Sequence, residues 1–328
     1  MMGRTANNPG RQSGVALISV LLIVVVATVL GVSMSREQNY AITRARLFLE
    51  QSRVQQYAMG GEELARQILH ADFLEAPQKD TLLEAWSQRG QKFEFEDGEV
   101  NLRIEDLQGR FNLNALSDSA ANNSVARGQF TNLLMQQGLD PILVDRVADW
   151  IDDNQTVRPF GAEDFDYLGL ERPYRTSGGL LADSSELRLL LDMEPETLAA
   201  LLPLVSTLPD PNAGINVNTA SPALLQALAP SLTAGHAEGL AASRQAVEGY
   251  DNVQVFLQDV VLAGQNIPVA GLSVQSGYFQ VSIRARYQAR FGYLTSIIQR
   301  DSTDGSMHVI YRDISKKVYP DNPDNPDD

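Results

Sequence analysis

The chain has 328 residues, more than one ordinary domain, and its 44% hydrophobic content is enough for a packed core. Its net charge of −15 argues against a nucleic-acid partner, whose binding depends on Lys and Arg displacing counterions from phosphate. It has no cysteine, which excludes disulfides, thiolate metal sites and cysteine nucleophiles. The first element is an uncharged apolar run over residues 15–32, behind a short leader carrying Arg4 and Arg11. At eighteen residues it sits at the lower edge of what crosses a bilayer as a helix. A signal anchor and a cleaved signal peptide are both open on these grounds, since Gly31 and Ser33 offer small residues for a cleavage site. Arg36, Arg44 and Arg46 match the leader's basic count, so charge does not fix the orientation.

A third reading comes from Gly14, which follows Gln12 and Ser13 and immediately precedes the apolar run. This arrangement resembles the type III signal of type IV pilins and type II secretion pseudopilins. The resemblance implies cleavage by a prepilin peptidase between Gly14 and Val15, N-methylation of Val15, and retention of the apolar helix. Residues 1–14 would be the prepilin leader and 15–34 the transmembrane part of a longer helix. The chain departs from the general pattern at the fifth mature position, where Ser19 stands in place of glutamate. An unpaired carboxylate in a bilayer is costly. The K subunit of the pseudopilus, which resembles a cap on the tip, is the member that lacks this glutamate.

Beyond Ser35, Leu47, Val54, Tyr57, Gly61, Leu64 and Ile68 share one helical face, with Arg44, Arg46, Arg53, Glu62, Glu63 and Arg66 largely off it. No proline stands between Gly10 and Ala76, so one helix is expected over residues 15–70, about 84 Å long. Gly60-Gly61 marks close packing, with a kink as the alternative. Residues 72–89 read as a second, shorter helical region interrupted at Pro77, with Leu82, Leu83 and Trp86 as its apolar face.

The period then changes. Lys92 to Glu96 alternates, Asp97-Gly98 is a turn signal, and Val100, Leu102 and Ile104 alternate again, which makes a β-hairpin. Helices are expected over 124–137, 141–152, 183–191, 195–202, 222–229, 234–248 and 253–262, several with capping signals such as Ser221-Pro222. Strands return over 278–287, 293–300 and 307–314. Strands on both sides of a helical block predict an α+β fold: a small antiparallel, pilin-like sheet with a large all-α domain inserted between its strands. The expected division is 35–114 and 271–317 for the pilin-like domain, 115–270 for the helical insertion, and a disordered acidic tail over 318–328.

Three motifs carry a wider resemblance: Gly109-Arg110-Phe111-Asn112-Leu113-Asn114; Asp149-Trp150-Ile151-Asp152 with Gly161-Ala162-Glu163-Asp164; and Ile215-Asn216-Val217-Asn218-Thr219-Ala220. With the leader, they make the chain resemble the minor pseudopilin K family of type II secretion over nearly its whole length. The resemblance implies a subunit that caps the pseudopilus tip and helps initiate its assembly for export across the outer membrane. The implied partners are the minor pseudopilins I and J and other pseudopilins through the N-terminal helix, the prepilin peptidase and the inner-membrane assembly platform. The implied location is a single pass through the inner membrane, with the soluble domain in the periplasm.

Asp149, Asp152, Asp153, Glu163, Asp164 and Asp166 crowd into eighteen residues with one basic residue, Arg158, and Asn154 adds another oxygen. Pro159 and Gly161 imply a turn that folds the two halves together. Such a loop is either a solvated acidic segment or a supplier of the hard oxygen ligands calcium takes, without the EF-hand spacing. The K-family resemblance implies calcium, with Asp152, Asn154, Glu163 and Asp164 as preferred ligands and Asp149, Asp153 and Asp166 as a second set. Asp149 has the alternative role of capping or orienting the loop.

The Ile215–Ala220 motif also resembles the opening of helix-hairpin-helix DNA-binding modules, so an inner-membrane DNA-binding or uptake protein is the alternative. The stretch from Ala229 to Ala234 lacks the glycines that grip phosphate, and Arg244 is the only Lys or Arg between Val217 and Asp251. No nucleic-acid partner is therefore expected. His70, His236 and His308 are far apart, and the sequence has no phosphate loop, dinucleotide fingerprint or zinc signature. No catalytic residue is assigned, and no enzyme activity is expected.

Overall fold

The computed structural model describes residues 12–88 and 90–315; most of the expected leader and all of the expected acidic tail lie outside the described residues. Helix α1 runs unbroken over Gln12–Glu75, 64 residues or about 96 Å at 1.5 Å per residue. Its N-terminal part is long and apolar enough to cross a membrane and is covered by no other part of the described residues. The hydroxyls within it are satisfied locally: Ser19 donates to the Val15 carbonyl (2.9 Å) and Thr28 to that of Val24 (2.7 Å).

The soluble part grips the helix from Glu50 onward. The buried face is Val54, Ala58, Gly61, Glu62, Ala65, Leu69, Asp72 and Phe73. The expected stripe shares Val54 and Gly61 with it; Tyr57, Leu64 and Ile68 flank it half-buried, and Leu47 is exposed. The face is lined by small residues because the sheet comes close. A Cβ on Gly61 would lie 2.8 Å from Val100 Cγ1 and 3.0 Å from Ile283 Cγ2, whereas one on Gly60 would meet nothing. Glu62, expected off this face, is buried on it: its carboxylate accepts from Arg312 Nε (2.8 Å), Arg312 Nη2 (2.7 Å) and Ser296 Oγ (2.5 Å).

The helix expected over 72–89 is not formed. α1 continues to Glu75, Pro77 ends it, and the chain turns through a short 3-10 segment at Ala85–Ser87. Glu84 holds this turn, accepting at Oε2 from Thr81 N (3.0 Å) and Trp86 Nε1 (2.7 Å). Trp86 is buried, but Leu82 and Leu83 stay exposed.

Strands β1 (Gln91–Phe95) and β2 (Gly98–Asp106) form the expected hairpin. The helical block follows: β3 (Phe111–Asn112), α2 (Asn123–Gln136), α3 (Leu143–Ile151), α4 (Asp164–Leu168), α5 (Pro195–Leu201), β4 (Val205–Ser206), β5 (Ile215–Asn216), α6 (Pro222–Ala227), α7 (Ala234–Ala246), α8 (Val253–Leu257) and β6 (Leu272–Ser273). Strands β7 (Tyr278–Tyr287), β8 (Arg290–Arg300) and β9 (Met307–Asp313) complete the chain. The main sheet is antiparallel in the order β1-β2-β7-β8-β9, so β2 and β7 are neighbours although the whole helical block separates them in sequence. This is the α+β, pilin-like architecture that the alternation of strands and helices implied.

The two parts have separate cores. One joins Val54, Ala65 and Leu69 of α1 to Trp86, Val100, Leu102, Ile104, Phe279, Val281, Ile283, Leu294 and Ile298. The other fills the helical block around Phe111, Phe130, Leu133, Trp150, Tyr167, Leu225 and Phe256, with Phe111 and Phe130 stacked at 4.9 Å. The segment expected as a helix over 183–191 is a 3-10 turn at Ser184–Leu189, and that over 253–262 splits into α8 and a 3-10 turn at Val260–Leu262. Two short parallel pairings, β3 with β4 and β5 with β6, have no sequence signal because each spans two residues.

The asparagines of the two Asn-rich motifs serve this scaffold. Asn114 Nδ2 donates to the carbonyls of Leu181 (3.0 Å) and Leu208 (2.8 Å), and Asn218 Nδ2 donates to that of Tyr250 (3.0 Å). Each ties together loops that hydrophobic packing alone would leave with unpaired carbonyls.

Candidate metal centre

Helix α3 carries Asp149 in its last turn, fully buried, and ends against Asp152, three residues on and on the same side. The loop after it returns at Gly161, where a Cβ would fall 1.7 Å from Asp149 Oδ2, so only glycine lets the backbone pass over this carboxylate. The return delivers Glu163 as the residue just before α4, with its N–H donating to Asp166 Oδ2 (3.1 Å). Asp149, Asp152 and Glu163 are all buried, and each offers an oxygen within 4.8 Å of the others.

Arg158 enters this cluster. Its Nη1 donates to Asp149 Oδ1 (2.5 Å) and to Asp152 Oδ2, and its Nη2 to both oxygens of Asp118 (3.0 and 2.8 Å). Its backbone N–H also donates to Asp149 Oδ2 (3.1 Å). Glu163 is left out. It is 1% exposed, and neither carboxylate oxygen has a hydrogen-bond partner, because the Asp166 N–H bonds the Glu163 backbone carbonyl instead (2.9 Å). Burial, followed by repulsion from Asp149 and Asp152, pushes Glu163 up to about 7. Burial also raises Asp149, against the pull of Arg158.

The remaining acidic-loop residues are engaged elsewhere. Asn154 is exposed, and its Oδ1 accepts from Thr156 N (2.8 Å). Asp164 Oδ1 accepts from Thr176 N (3.0 Å) and Oγ1 (3.1 Å), and its Oδ2 pairs with Arg175. Asp166 bonds the start of α4, and Asp153 is exposed. Of the four preferred ligands, the fold brings together Asp152 and Glu163, and Asp149 joins them; Asp164 does not, and Asn154 is exposed with its Oδ1 bonded to Thr156 N. The residues present fit a hard divalent cation. Three buried carboxylates converge, and one has both oxygens unbonded, an arrangement that a dication relieves and a single guanidinium does not.

A second cluster was not legible. Asp72, Asp80 and Glu84 also have oxygens within 4.8 Å of one another, beside the end of α1. Arg300 of β8 lies among them, bonding Asp80 Oδ1, Asp72 Oδ2 (3.4 Å) and the Ser276 carbonyl (3.0 Å). Burial, with Glu84 and Asp80 nearby, pushes Asp72 up to about 7; burial raises Asp80 and Glu84 as well. Adjacent Asp106, pushed up to about 6 by burial, accepts from Ser276 Oγ (2.5 Å), Thr219 Oγ1 (2.5 Å) and Asn216 Nδ2 (3.3 Å) and so joins β2 to the helical block. His236 caps α7 through Thr233, and His70 and His308 are exposed. The three histidines do not converge. Arg244, the lone basic residue of the helix-hairpin-helix-like stretch, donates inward to the carbonyls of Val217 (3.2 Å) and Ala220 (2.6 Å).

Comparison with known proteins agrees over the length of the chain. Family models for the type II secretion system protein K match residues 109–210 and 215–275. The type II secretion system protein K of Pseudomonas aeruginosa is 36% identical over 94% of this chain and 95% of its own length. That of Klebsiella pneumoniae is 36% identical over 85% of this chain and 91% of its own. Among solved structures, the GspK-GspI-GspJ complex of the enterotoxigenic Escherichia coli type 2 secretion system contains a chain that matches with a TM-score of 0.73 at 25% identity. The match covers 84% of this chain and all of that one. Fold, motifs and relatives agree, and the chain belongs to the type II secretion system protein K family.

Proposed function

We propose that this chain caps the tip of a type II secretion pseudopilus and helps initiate its assembly with minor pseudopilins I and J. The observation that carries the reading is α1. From Gly14 to Leu49 every residue of the helix is exposed, while from Val54 the same helix is clamped to the sheet. An uncovered apolar rod rigidly joined to a head is an element built to pack against other helices, first in lipid and then in a filament. Its likeness to a chain solved in complex with GspI and GspJ supports those partners. Ser19 supports the tip position. Its hydroxyl is spent on the Val15 carbonyl, and it offers no carboxylate to the N-terminus of a subunit above it. The helical block would sit on top and leave no room for one.

In this reading the protein spans the inner membrane once, holds its soluble part in the periplasm, and works by assembly without catalysis. Asp149, Asp152 and Glu163 hold a structural calcium ion whose chemistry is charge neutralisation. The DNA-uptake alternative has less support, because Arg244 is turned into the scaffold. Determining the N-terminus of the mature protein tests the assignment. Methylated Val15 is expected; an intact Met1, or a start beyond Gly31, would overturn it.

A further inference from the structure

We propose that Arg158 is a built-in competitor of the cation at the acidic centre: calcium enters by displacing its guanidinium from Asp149 and Asp152 towards Asp118. This rests on the calcium reading above and concerns how that site is regulated.

The geometry sets up the competition. Arg158 Nη1 is bonded to Asp149 Oδ1 and Asp152 Oδ2, oxygens of two of the three carboxylates that would ligate the ion. Calcium needs its oxygens at about 2.3–2.6 Å. A guanidinium bonded to the same oxygens would then lie a few ångströms from a dication inside a mostly buried site, where like charges repel strongly. Both cannot hold these carboxylates at once.

The exit is already present. Arg158 Nη2 is bonded to both oxygens of Asp118, whose side chain is 60% exposed, while that of Arg158 is 18% exposed. Rotation of the outer side-chain torsions takes Nη1 away from the cluster without giving up Asp118. The loop stays tied, because the Arg158 N–H on Asp149 Oδ2 belongs to the backbone and does not depend on the side chain. The event is therefore an exchange of cations: Asp149 and Asp152 have a positive partner before and after it. Glu163 gives it direction. The arginine offers it no bond, so only the incoming ion relieves its two buried oxygens.

Calcium titration by calorimetry of the detergent-purified full-length protein tests this, using wild type, Arg158→Gln, Arg158→Lys, Asp118→Asn and the Arg158→Gln/Asp118→Asn double variant. Removing the competing charge should tighten calcium binding by about tenfold or more. Arg158→Lys keeps the charge and should stay near wild type. Asp118→Asn removes the landing place and should weaken binding several-fold, more than Glu171→Gln, an exposed substitution of equal charge. In the Arg158→Gln background, Asp118→Asn should lose its effect. Calcium binding that is unchanged or weaker in Arg158→Gln, or equally tight in the lysine and glutamine variants, overturns the competitor while leaving the calcium reading intact. If neither wild type nor Arg158→Gln binds calcium, the calcium reading itself fails and this inference falls with it.

Discussion

Among the described residues two trios of carboxylates converge, each entered by one arginine, and the two arginines are held in opposite ways. In the trio beside α1, Arg300 has a side chain 4% exposed, with its guanidinium 5.5 Å from the Phe73 ring centre and 4.7 Å from that of Phe279. Every carboxylate there has a partner: Asp72 and Asp80 bond Arg300, and Glu84 bonds Thr81 and Trp86. In the helical block, the Arg158 side chain is 18% exposed and reaches from the cluster to exposed Asp118, and Glu163 has no hydrogen-bond partner among the described residues. Three acids and an arginine thus make a fixed tie when the arginine is walled in by aromatic rings and all the oxygens are bonded. In the proposed exchange they make a displaceable pairing, because the arginine has an outer acceptor and one acid is left over.

The largest expected effect tests the fixed tie. Arg300→Met leaves Asp72 and Asp80 buried without a counter-ion and should cost about 3–5 kcal/mol. Arg158→Gln should cost less, since that side chain is partly solvated, and calcium should restore the loss. Urea unfolding with EGTA and with calcium measures both. If Arg300→Met is no less stable than Arg158→Gln in EGTA, the two clusters do not differ as described.

Calcium sharpens the contrast next. At about a hundred times its dissociation constant, a ligand bound only by the folded state adds about 2.7 kcal/mol, visible as a rise in melting temperature. The rise should vanish in Glu163→Gln and persist in Glu84→Gln, whose carboxylate is committed to Thr81 and Trp86. A rise that survives Glu163→Gln would place the ion elsewhere.

What was legible in the sequence follows from distance along the chain. The acidic loop was visible because Asp149, Asp152 and Glu163 fall within fifteen residues of one another. The cluster at Asp72, Asp80 and Glu84 is completed by Arg300, and Glu62 by Arg312, partners more than two hundred residues away that no local pattern announces. Nothing local marks Glu62 as part of the packed face of α1. Strands with clean alternation were readable, and β7 spans the expected 278–287. Which acids of the loop converge was not readable from composition. Asp164 opens the five-residue α4, which no apolar period signals, and its carboxylate is held by Thr176 and Arg175. The buried face of α1 is turned from the expected stripe because contact with the sheet also selects Ala58 and Ala65, whose small side chains carry little hydrophobic signal.

The last contrast is in pH dependence, and it belongs to the fixed tie. Asp72 is pushed up to about 7 and Asp106 to about 6, chiefly by burial, whereas an unfolded aspartate titrates near about 3.9. Between those values the folded state holds more protons than the unfolded one. Stability from these two groups therefore rises as pH falls from about 7, is complete below about 4, and is lost as pH climbs through the folded values. Glu62 has the opposite sign: burial raises it, but Arg312 and Ser296 outweigh that and hold it below the usual glutamate range. Its contribution is present at neutral pH and disappears as pH falls through its folded value. Asp72→Asn keeps an oxygen for Arg300 while removing one titration. Unfolding measured from pH 4 to 8 should then show a shallower gain towards acid than wild type, the difference being confined to the window between about 4 and 7. Parallel curves for the two proteins would mean that Arg300 keeps Asp72 ionised throughout, and the tie would be a plain ion pair rather than a proton-holding one.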